Sequence, residues 1–306
     1  MSFSEDLRKE LASVVAHSEC DRLAELSGLF HAAGSVHLHG RGEISAHLDV
    51  GESVVARRAF RLLRTFDLNS EIRTYRRRSF ERTTRYQLHV AGDARVLQVL
   101  HEAGVLSARL APLESPPKRV VARSCCRAAY LRGALLGAGS LSGPRAPHLE
   151  MRSASVEGAR FITALASREG VLLSVLDRGR HAVAYAKGTE AIAGLLAVAG
   201  ASNAVLALEE RAVLGLTRAG ANRLANADHA NLVRVSRAAH EQWRAARRLD
   251  EQGRLIELTG RLREAAELRL RHPSLSLREL ALECSPPATK AALHRRLRKL
   301  IALAEL

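Results

Sequence analysis

Leu26-Ser27-Gly28-Leu29-Phe30-His31-Ala32-Ala33-Gly34-Ser35 and Leu131-Arg132-Gly133-Ala134-Leu135-Leu136-Gly137-Ala138-Gly139-Ser140 are the two stretches on which the reading of this chain turns. Leu, Gly, Gly and Ser recur at one spacing, and the shift that carries Gly28 to Gly133 also carries Gly34 to Gly139. The surroundings repeat as well. Cys20-x-Arg22 precedes the first word as Cys125-x-Arg127 precedes the second, and Ala56-Arg57 with Phe60 fall in a helical stretch much like that around Ala159-Arg160 and Phe161. The chain contains an internal duplication.

Working outward, each copy opens with a helix that carries the repeated word. Period-two alternation in Glu43–Val50 and His148–Arg152 then marks a half-buried strand. Helices are predicted at 52–66 and 155–168, and short strands at 71–76 and 84–90, again at 171–177 and 181–187. A final helix is expected at 93–103 and 189–199. Both copies read α-β-β-α-β-β-α, an α+β arrangement whose sheets need helices on one face only. Gly28 and Ala32 lie four apart, as do Gly133 and Gly137, so each opening helix carries a small-residue patch. Two such patches let backbones approach closely, and the natural inference is a pseudo-twofold pairing of the two helices. Pro112, Pro116 and Pro117, with Ser115 and Lys118-Arg119, mark an extended connection between the copies.

The repeated word and the α-β-β-α-β-β-α order resemble the LAGLIDADG homing endonucleases. In that family the last acidic residue of the word on each helix holds the divalent metal. Those positions are Ala33 and Ala138 here, and an alanine methyl has no lone pair for a cation or a water. His31 and Leu136 stand at the earlier acidic position and do not repair the loss. The resemblance therefore implies a scaffold without catalytic residues. Asp49 and Glu150, at similar places in the two copies, read as solvent-facing strand acids rather than displaced metal ligands. His37 and His39 share a strand face, with no third ligand apparent.

The 306 residues carry a formal net charge of +15, with 47% apolar and 4% aromatic residues. A sequence pI near 10.8 favours a polyanionic partner. No apolar run approaches the ~20 residues of a membrane-spanning helix, and the acidic, amphipathic Ser2–Arg8 does not read as a signal peptide. Cys20, Cys125, Cys126 and Cys284 show no metal-type pairing and no even disulfide framework, and the adjacent Cys125-Cys126 do not form a sensible zinc half-site. A reduced, cytoplasmic protein without metal or cofactor is the plain reading.

After about residue 210 the strand signal stops. Asn222, Asn226 and Asn231 recur in a helical-looking stretch, and because Asn is a poor helix-interior residue they are expected to dock a linker on neighbouring structure. A compact three-helix pattern follows. Leu255, Leu258, Leu262 and Ala265 give the first helix its apolar stripe. Ser276-Leu277-Arg278-Glu279 is a capping box that opens the second, with Leu277, Leu280, Ala281 and Cys284 as its buried face. Ser285-Pro286-Pro287 breaks it and is expected to supply the first turn of the third. That third helix has a buried stripe of Leu293, Leu297, Leu300 and Ile301. Its opposite side offers Ala288, Ala291 and Ala292, then Arg295, Arg298 and Lys299, with Lys290 and His294 at the margin and no acid between Ser285 and Lys299. Small residues let a helix sit deep in a major groove while Arg and Lys reach bases and phosphates. The pattern is a helix-turn-helix over Ser274–Leu306 with Thr289–Lys299 as recognition helix. Its expected DNA-binding residues are Arg278, Thr289, Lys290, His294, Arg295, Arg298 and Lys299. On the duplicated scaffold, Arg73, Arg76, Arg77 and Arg78 are expected to add a basic groove.

Taken together, the chain resembles the WhiA family, which fuses a degenerate LAGLIDADG-type domain to a C-terminal helix-turn-helix similar to the promoter-reading part of a sigma factor. The resemblance is carried by Tyr130-Leu131-Arg132-Gly133-Ala134, Asn222-Arg223-Leu224 through Asn226 and Ala230-Asn231, Leu262-Arg263 through Ala266-Glu267-Leu268-Arg269, and Pro286-Pro287 through Leu297-Arg298-Lys299. Ala291-Ala292 stand where the family often has a Ser-Gly pair, and Ala227 where a Cys is frequent. The expected organisation is a first repeat over 1–111, a second over 112–214, a helical linker over 215–250 and the helix-turn-helix domain over 251–306. What the resemblance implies is a nucleoid-associated regulator of cell division, and of sporulation in differentiating relatives. Its expected partner is double-stranded promoter DNA, and the internal pseudo-twofold removes any need for a dimer. The rival readings are a metal-dependent endonuclease and an interaction hub for a sigma factor or co-regulator.

Overall fold

Each repeated word folds as a helix that stops at a glycine. The computed structural model describes residues 3–38, 44–76, 83–142 and 147–305, with the backbone alone for residues 38, 216, 219–221 and 224. After α1 (Phe3–Ser13), the first copy runs α2 (Glu19–Ala33), β1 (Gly34–Leu38), β2 (Ile44–Val50), α3 (Ser53–Arg64), β3 (Glu71–Arg76), β4 (Thr84–Gly92) and α4 (Ala94–Glu102). The second runs α5 (Ser124–Ala138), β5 (Gly139–Ser142), β6 (His148–Ser153), α6 (Val156–Arg168), β7 (Ser174–Asp177), β8 (Ala182–Lys187) and α7 (Thr189–Ala199). The two antiparallel sheets have matching orders, β1-β2-β4-β3 and β5-β6-β8-β7. The α+β duplication is thus borne out element by element. β7 starts later than the alternation suggests, because Val171 is drawn into the core after α6, its N–H bonding Ala166 O at 2.9 Å across left-handed Gly170.

Alternation along the strands separates a core face from an outer face. Leu48 lies opposite Leu88 and Ala46 opposite Val90, all four fully buried, while His47 faces His89 and Asp49 faces Gln87 on the other side. In the second sheet Leu149 pairs with Ala186 and Met151 with Ala184 in the core, and Glu150 with Tyr185 and His148 with Lys187 outside.

The apolar layer between the sheets is organised by α2 and α5. Leu26, Leu29 and Phe30 from one helix and Leu131, Leu135 and Leu136 from the other are all buried. The helices cross at their small residues: a Cβ on Gly28 would lie 2.2 Å from the Tyr130 carbonyl oxygen, and one on Gly133 would lie 2.2 Å from that of Glu25. Gly137 lies against Ala32 and Ala33 in the same way, so the expected pairing is found. A fully buried carboxylate sits in this contact. Glu25 accepts two bonds from Arg58, each 2.7 Å, and two from Arg132, at 3.1 and 3.0 Å. Arg132 also donates to the Ala199 carbonyl at 3.3 Å, tying α5 to α7. Buried charge is tolerated only when paired and hydrogen-bonded in this manner.

The chain divides into two compact units, Met1–Gly215 and Leu216–Leu306. One helix, α8 (Ser202–Glu251), has residues in both. In the first unit its opening amides, Asn203 and Ala204, donate to the Glu10 carboxylate at 2.7 and 2.9 Å, and Ala204 and Leu208 are buried. The expected docking of Asn222, Asn226 and Asn231 is not found, for all three are exposed on α8. A few tenths of a kcal/mol of poor propensity at each Asn is outweighed by the surrounding Ala, Leu and Arg.

The second unit contains the end of α8 with Ala245, Ala246 and Leu249 buried, then α9 (Gly260–Arg271), α10 (Leu277–Leu282) and α11 (Lys290–Ala304). The first helix of the expected three starts later than its leucine stripe indicates. Gly253, at φ 70°, turns the chain out of α8, and Leu255 belongs to a short 3₁₀ turn before α9. Leu262, Ala265, Ala266, Leu280, Leu293, Leu297 and Leu300 complete the core. Pro286 and Pro287 occupy the connection ahead of α11 rather than its first turn, because Thr289 is the residue that caps it.

Candidate functional site

The two turns of the helical unit are fixed by different devices. Ser276 Oγ accepts the Glu279 N–H at 3.3 Å while Glu279 Oε2 accepts the Ser276 N–H at 2.9 Å, so the capping box is formed in full. The bond from the Ser276 amide also holds the Glu279 carboxyl below its ordinary range. Arg269, 1% exposed, reaches from α9 into the following turn and donates to the carbonyls of His272, Pro273 and Leu275 at 3.3, 3.4 and 2.8 Å. Burial without a carboxylate partner lowers its pKa. Arg269 is a residue that sequence reasoning did not single out for this role. The signal was its place at the end of an apolar stripe, facing a loop rich in unpaired carbonyls.

Across the α10–α11 turn, Thr289 Oγ1 accepts the Ala292 N–H at 3.2 Å. The hydroxyl expected to meet DNA thus caps α11 as an acceptor, a bond that does not use its O–H donor. Arg296 turns inward to Glu264, 3.8 Å away, and Glu264 also accepts the Ser285 N–H. The remaining basic residues of α11 point outward: Lys290, His294, Arg295, Arg298 and Lys299 are exposed, as is Arg278 on α10. Among the described residues none of these six forms an ion pair. Ala291 is exposed beside Arg295 and Ala292 is half-buried, so the outer face of α11 is flat at its start and cationic further along.

The duplicated unit brings together a second set. Ala33 and Ala138 end α2 and α5, both half-buried, with Ala33 lying against Gly137 of α5. A cavity of about 470 Å³ opens beside Ala138 and Gly139, walled by Arg8, Arg85, Arg152 and Arg178. Both strand acids considered as replacement ligands are already engaged. Asp49 accepts from Arg85 Nε at 2.7 Å and from the Tyr75 hydroxyl; Glu150 is held by His148 at 2.8 Å and Arg178 at 2.7 Å. Glu52, at the cavity edge, is bound by Arg8.

On the outer face of the first sheet three imidazoles touch, His37 to His47 with centroids 4.9 Å apart and His47 to His89 at 4.7 Å. Their nitrogens do not converge as a metal site among the described residues. Burial, then the neighbouring His89 and His37, depress the His47 pKa. His39 lies outside the described residues. Of the basic groove expected through Arg73, Arg76, Arg77 and Arg78, Arg73 is bonded to Glu71 at 2.9 Å, and Arg76 falls on the opposite face by strand alternation. Arg77 and Arg78 lie outside the described residues. The second sheet instead presents Arg152 and Lys187 on its outer face, with Lys187 over the Tyr185 ring.

Three family models cover this architecture in order. The WhiA N-terminal LAGLIDADG-like domain matches residues 19–106, the WhiA LAGLIDADG-like domain 127–218, and the WhiA C-terminal HTH domain 221–304. The chain belongs to the WhiA family. It is 35% identical over 309 residues to a probable cell division protein WhiA of Symbiobacterium thermophilum, covering 100% of this chain and 98% of the relative. It is 34% identical over 307 residues to that of Heliobacterium modesticaldum, covering 100% and 96%. The crystal structure of full-length WhiA from Thermotoga maritima superposes with a TM-score of 0.60 at 21% identity, covering 100% of this chain and 98% of that one. The match to the WhiA C-terminal HTH domain spans α9, α10 and α11.

Proposed function

We propose that this WhiA-family protein is a sequence-specific binder of double-stranded DNA that regulates genes of cell division by docking α11 in the major groove at promoters. The observation that carries this reading is the outer face of α11: five exposed basic side chains, Lys290, His294, Arg295, Arg298 and Lys299, without carboxylate partners among the described residues, behind a flat alanine start. Arg295 and Arg298 read base edges; Lys290, Lys299 and Arg278 contact phosphates. Thr289 and His294 shape the entry of the helix. The duplicated unit has lost endonuclease chemistry, since Ala33 and Ala138 offer no ligand and Asp49 and Glu150 are bound to arginines. It serves as a second contact surface, to which Arg152 and Lys187 contribute. The link to cell division rests on the names of the relatives.

Selection of bound duplexes from a randomised pool tests the reading. The wild type enriches one motif, and the Arg295→Ala/Arg298→Ala variant enriches none while keeping its fold. Plasmid nicking in Mg²⁺ or Mn²⁺ by the wild type would restore the endonuclease reading. A protein-partner role draws on a different observation, the exposed Leu232 and Val235 on α8, 66% and 48% accessible. A sigma factor or co-regulator retained after residues 251–306 are deleted would support it.

A further inference from the structure

Spacing along the chain gives the cysteines no metal-type pattern, but the duplication folds three of them together. Cys20 and Asp21 lie in the first turn of α2, and Cys125 and Cys126 in the first turn of α5. Cys20 and Cys125 are equivalent under the repeat, and the close crossing at Gly28 and Gly133 brings both helix starts side by side. One ligand atom from each of Cys20, Asp21, Cys125 and Cys126 lies within 4.8 Å of all the others. Among the described residues no other group of three or more potential ligands converges in this way.

The spacings are those of a tetrahedral site. With metal–sulfur bonds of ~2.3 Å, the edges of a tetrahedron are roughly 3.8 Å. Cys125 Sγ and Cys126 Sγ are 3.9 Å apart, and Cys20 Sγ and Asp21 Oδ1 are 3.8 Å apart. Adjacency of Cys125 and Cys126 is thus no obstacle, because the other two ligands arrive from a different helix. The surroundings leave the cluster free to bind. Arg22 and Arg127, the equivalent arginines of the two Cys-x-Arg words, turn away to the carbonyls of His17 and Ala122, at 3.0 and 2.7 Å. Arg127 also takes Glu169 as its carboxylate partner. Asp21 has no ion pair among the described residues. The first turns of two helices, α2 and α5, converge at the group. Ser18 Oγ lies 3.2 Å from Cys20 Sγ and accepts the Asp21 N–H at 3.3 Å, fixing the first turn of α2. Cys126 is buried, Cys20 is half-buried and Cys125 is exposed, which leaves an entry path.

We infer that Cys20, Asp21, Cys125 and Cys126 form a zinc site that staples the opening helices of the two repeats. Binding releases the thiol protons and makes four bonds to one Zn²⁺, with no change of oxidation state. The test uses the full chain, reduced and stripped of metal, titrated with Co²⁺ and then Zn²⁺. The expected result is one equivalent of tetrahedral, thiolate-ligated cobalt, seen in its charge-transfer and d–d bands and displaced by one equivalent of zinc. Those bands vanish in Cys20→Ser and Cys125→Ser and persist in Cys284→Ser, and zinc shields three thiols of the wild type from alkylation. Circular dichroism of the metal-free variants separates loss of the site from loss of the fold. Where a variant does not fold, the wild-type alkylation pattern decides. The inference is overturned if the reduced wild type gives no thiolate–cobalt bands. It also fails if the bands survive in Cys20→Ser, or if peptide mapping of the zinc-treated protein finds Cys20 disulfide-bonded to Cys125 or Cys126.

Discussion

A methyl group on Gly28 would lie 2.2 Å from the carbonyl oxygen of Tyr130, and one on Gly133 the same distance from that of Glu25. The two glycines face each other's helix across the axis that relates the repeats. No alanine fits at either place without pushing backbone apart, since the obstructing atoms are main-chain. Gly28→Ala and Gly133→Ala should each cost about 1–3 kcal/mol or more through overpacking. Urea unfolding of the first unit measures it, and equal loss in the two variants is the signature of the symmetric contact.

Glu25 is fully buried and holds Arg58 and Arg132 together. Replacing it strands two guanidinium groups beneath the surface. Glu25→Ala should therefore destabilise the first unit by about 3–5 kcal/mol. Arg58→Met, which leaves Arg132 on the carboxylate, should be milder. Comparing the two unfolding curves distinguishes a shared buried pair from independent surface ones.

His31 and His47 both have pKa values lowered, chiefly by burial, from the ordinary 6.5. Each is favoured neutral in the folded state. Their stabilising contribution is complete above pH 6.5 and is lost as pH falls below it toward the depressed folded values. The first unit should melt at lower temperature at pH 5 than at pH 7.5. His31→Leu should flatten that dependence, because it removes an imidazole whose neutral form burial favours and whose Nδ1 is already committed to the Ser27 carbonyl at 2.8 Å. Glu169 and Glu279, whose pKa values are lowered from 4.5, contribute stability that is lost only at more acidic pH, so the two effects separate.

On α11, Arg295→Ala or Arg298→Ala should cost about 1–3 kcal/mol on the selected motif and relax preference at one position. Lys299→Ala should weaken all duplexes about equally and reduce the salt slope by roughly one. Anisotropy titrations at several salt concentrations on matched and scrambled duplexes read both effects.

Much of this architecture is legible along the chain. The repeated Gly and Ser spacing marks α2 and α5, the Ser276–Glu279 box marks α10, and the Leu293–Ile301 stripe marks α11. The extent of α8 is not legible, because Gly215, Asn222 and Asn226 look like punctuation although an Ala-, Leu- and Arg-rich helix absorbs them. Leu255 and Leu258 continue the periodicity of α9 across Gly260 by coincidence of spacing, so the 3₁₀ turn escapes notice. Arg269 looks like one more surface cation until the carbonyls of the next turn are seen around it. The cysteine cluster joins residues in the two halves of the duplication, and only the helix crossing makes them neighbours.

Genome-wide immunoprecipitation of the wild-type chain beside an Arg295→Ala/Arg298→Ala variant tests the central claim most directly. The account predicts discrete peaks over promoters in the wild type that disappear in an equally abundant, folded variant. Peaks that persist in the variant would contradict it and move recognition away from α11.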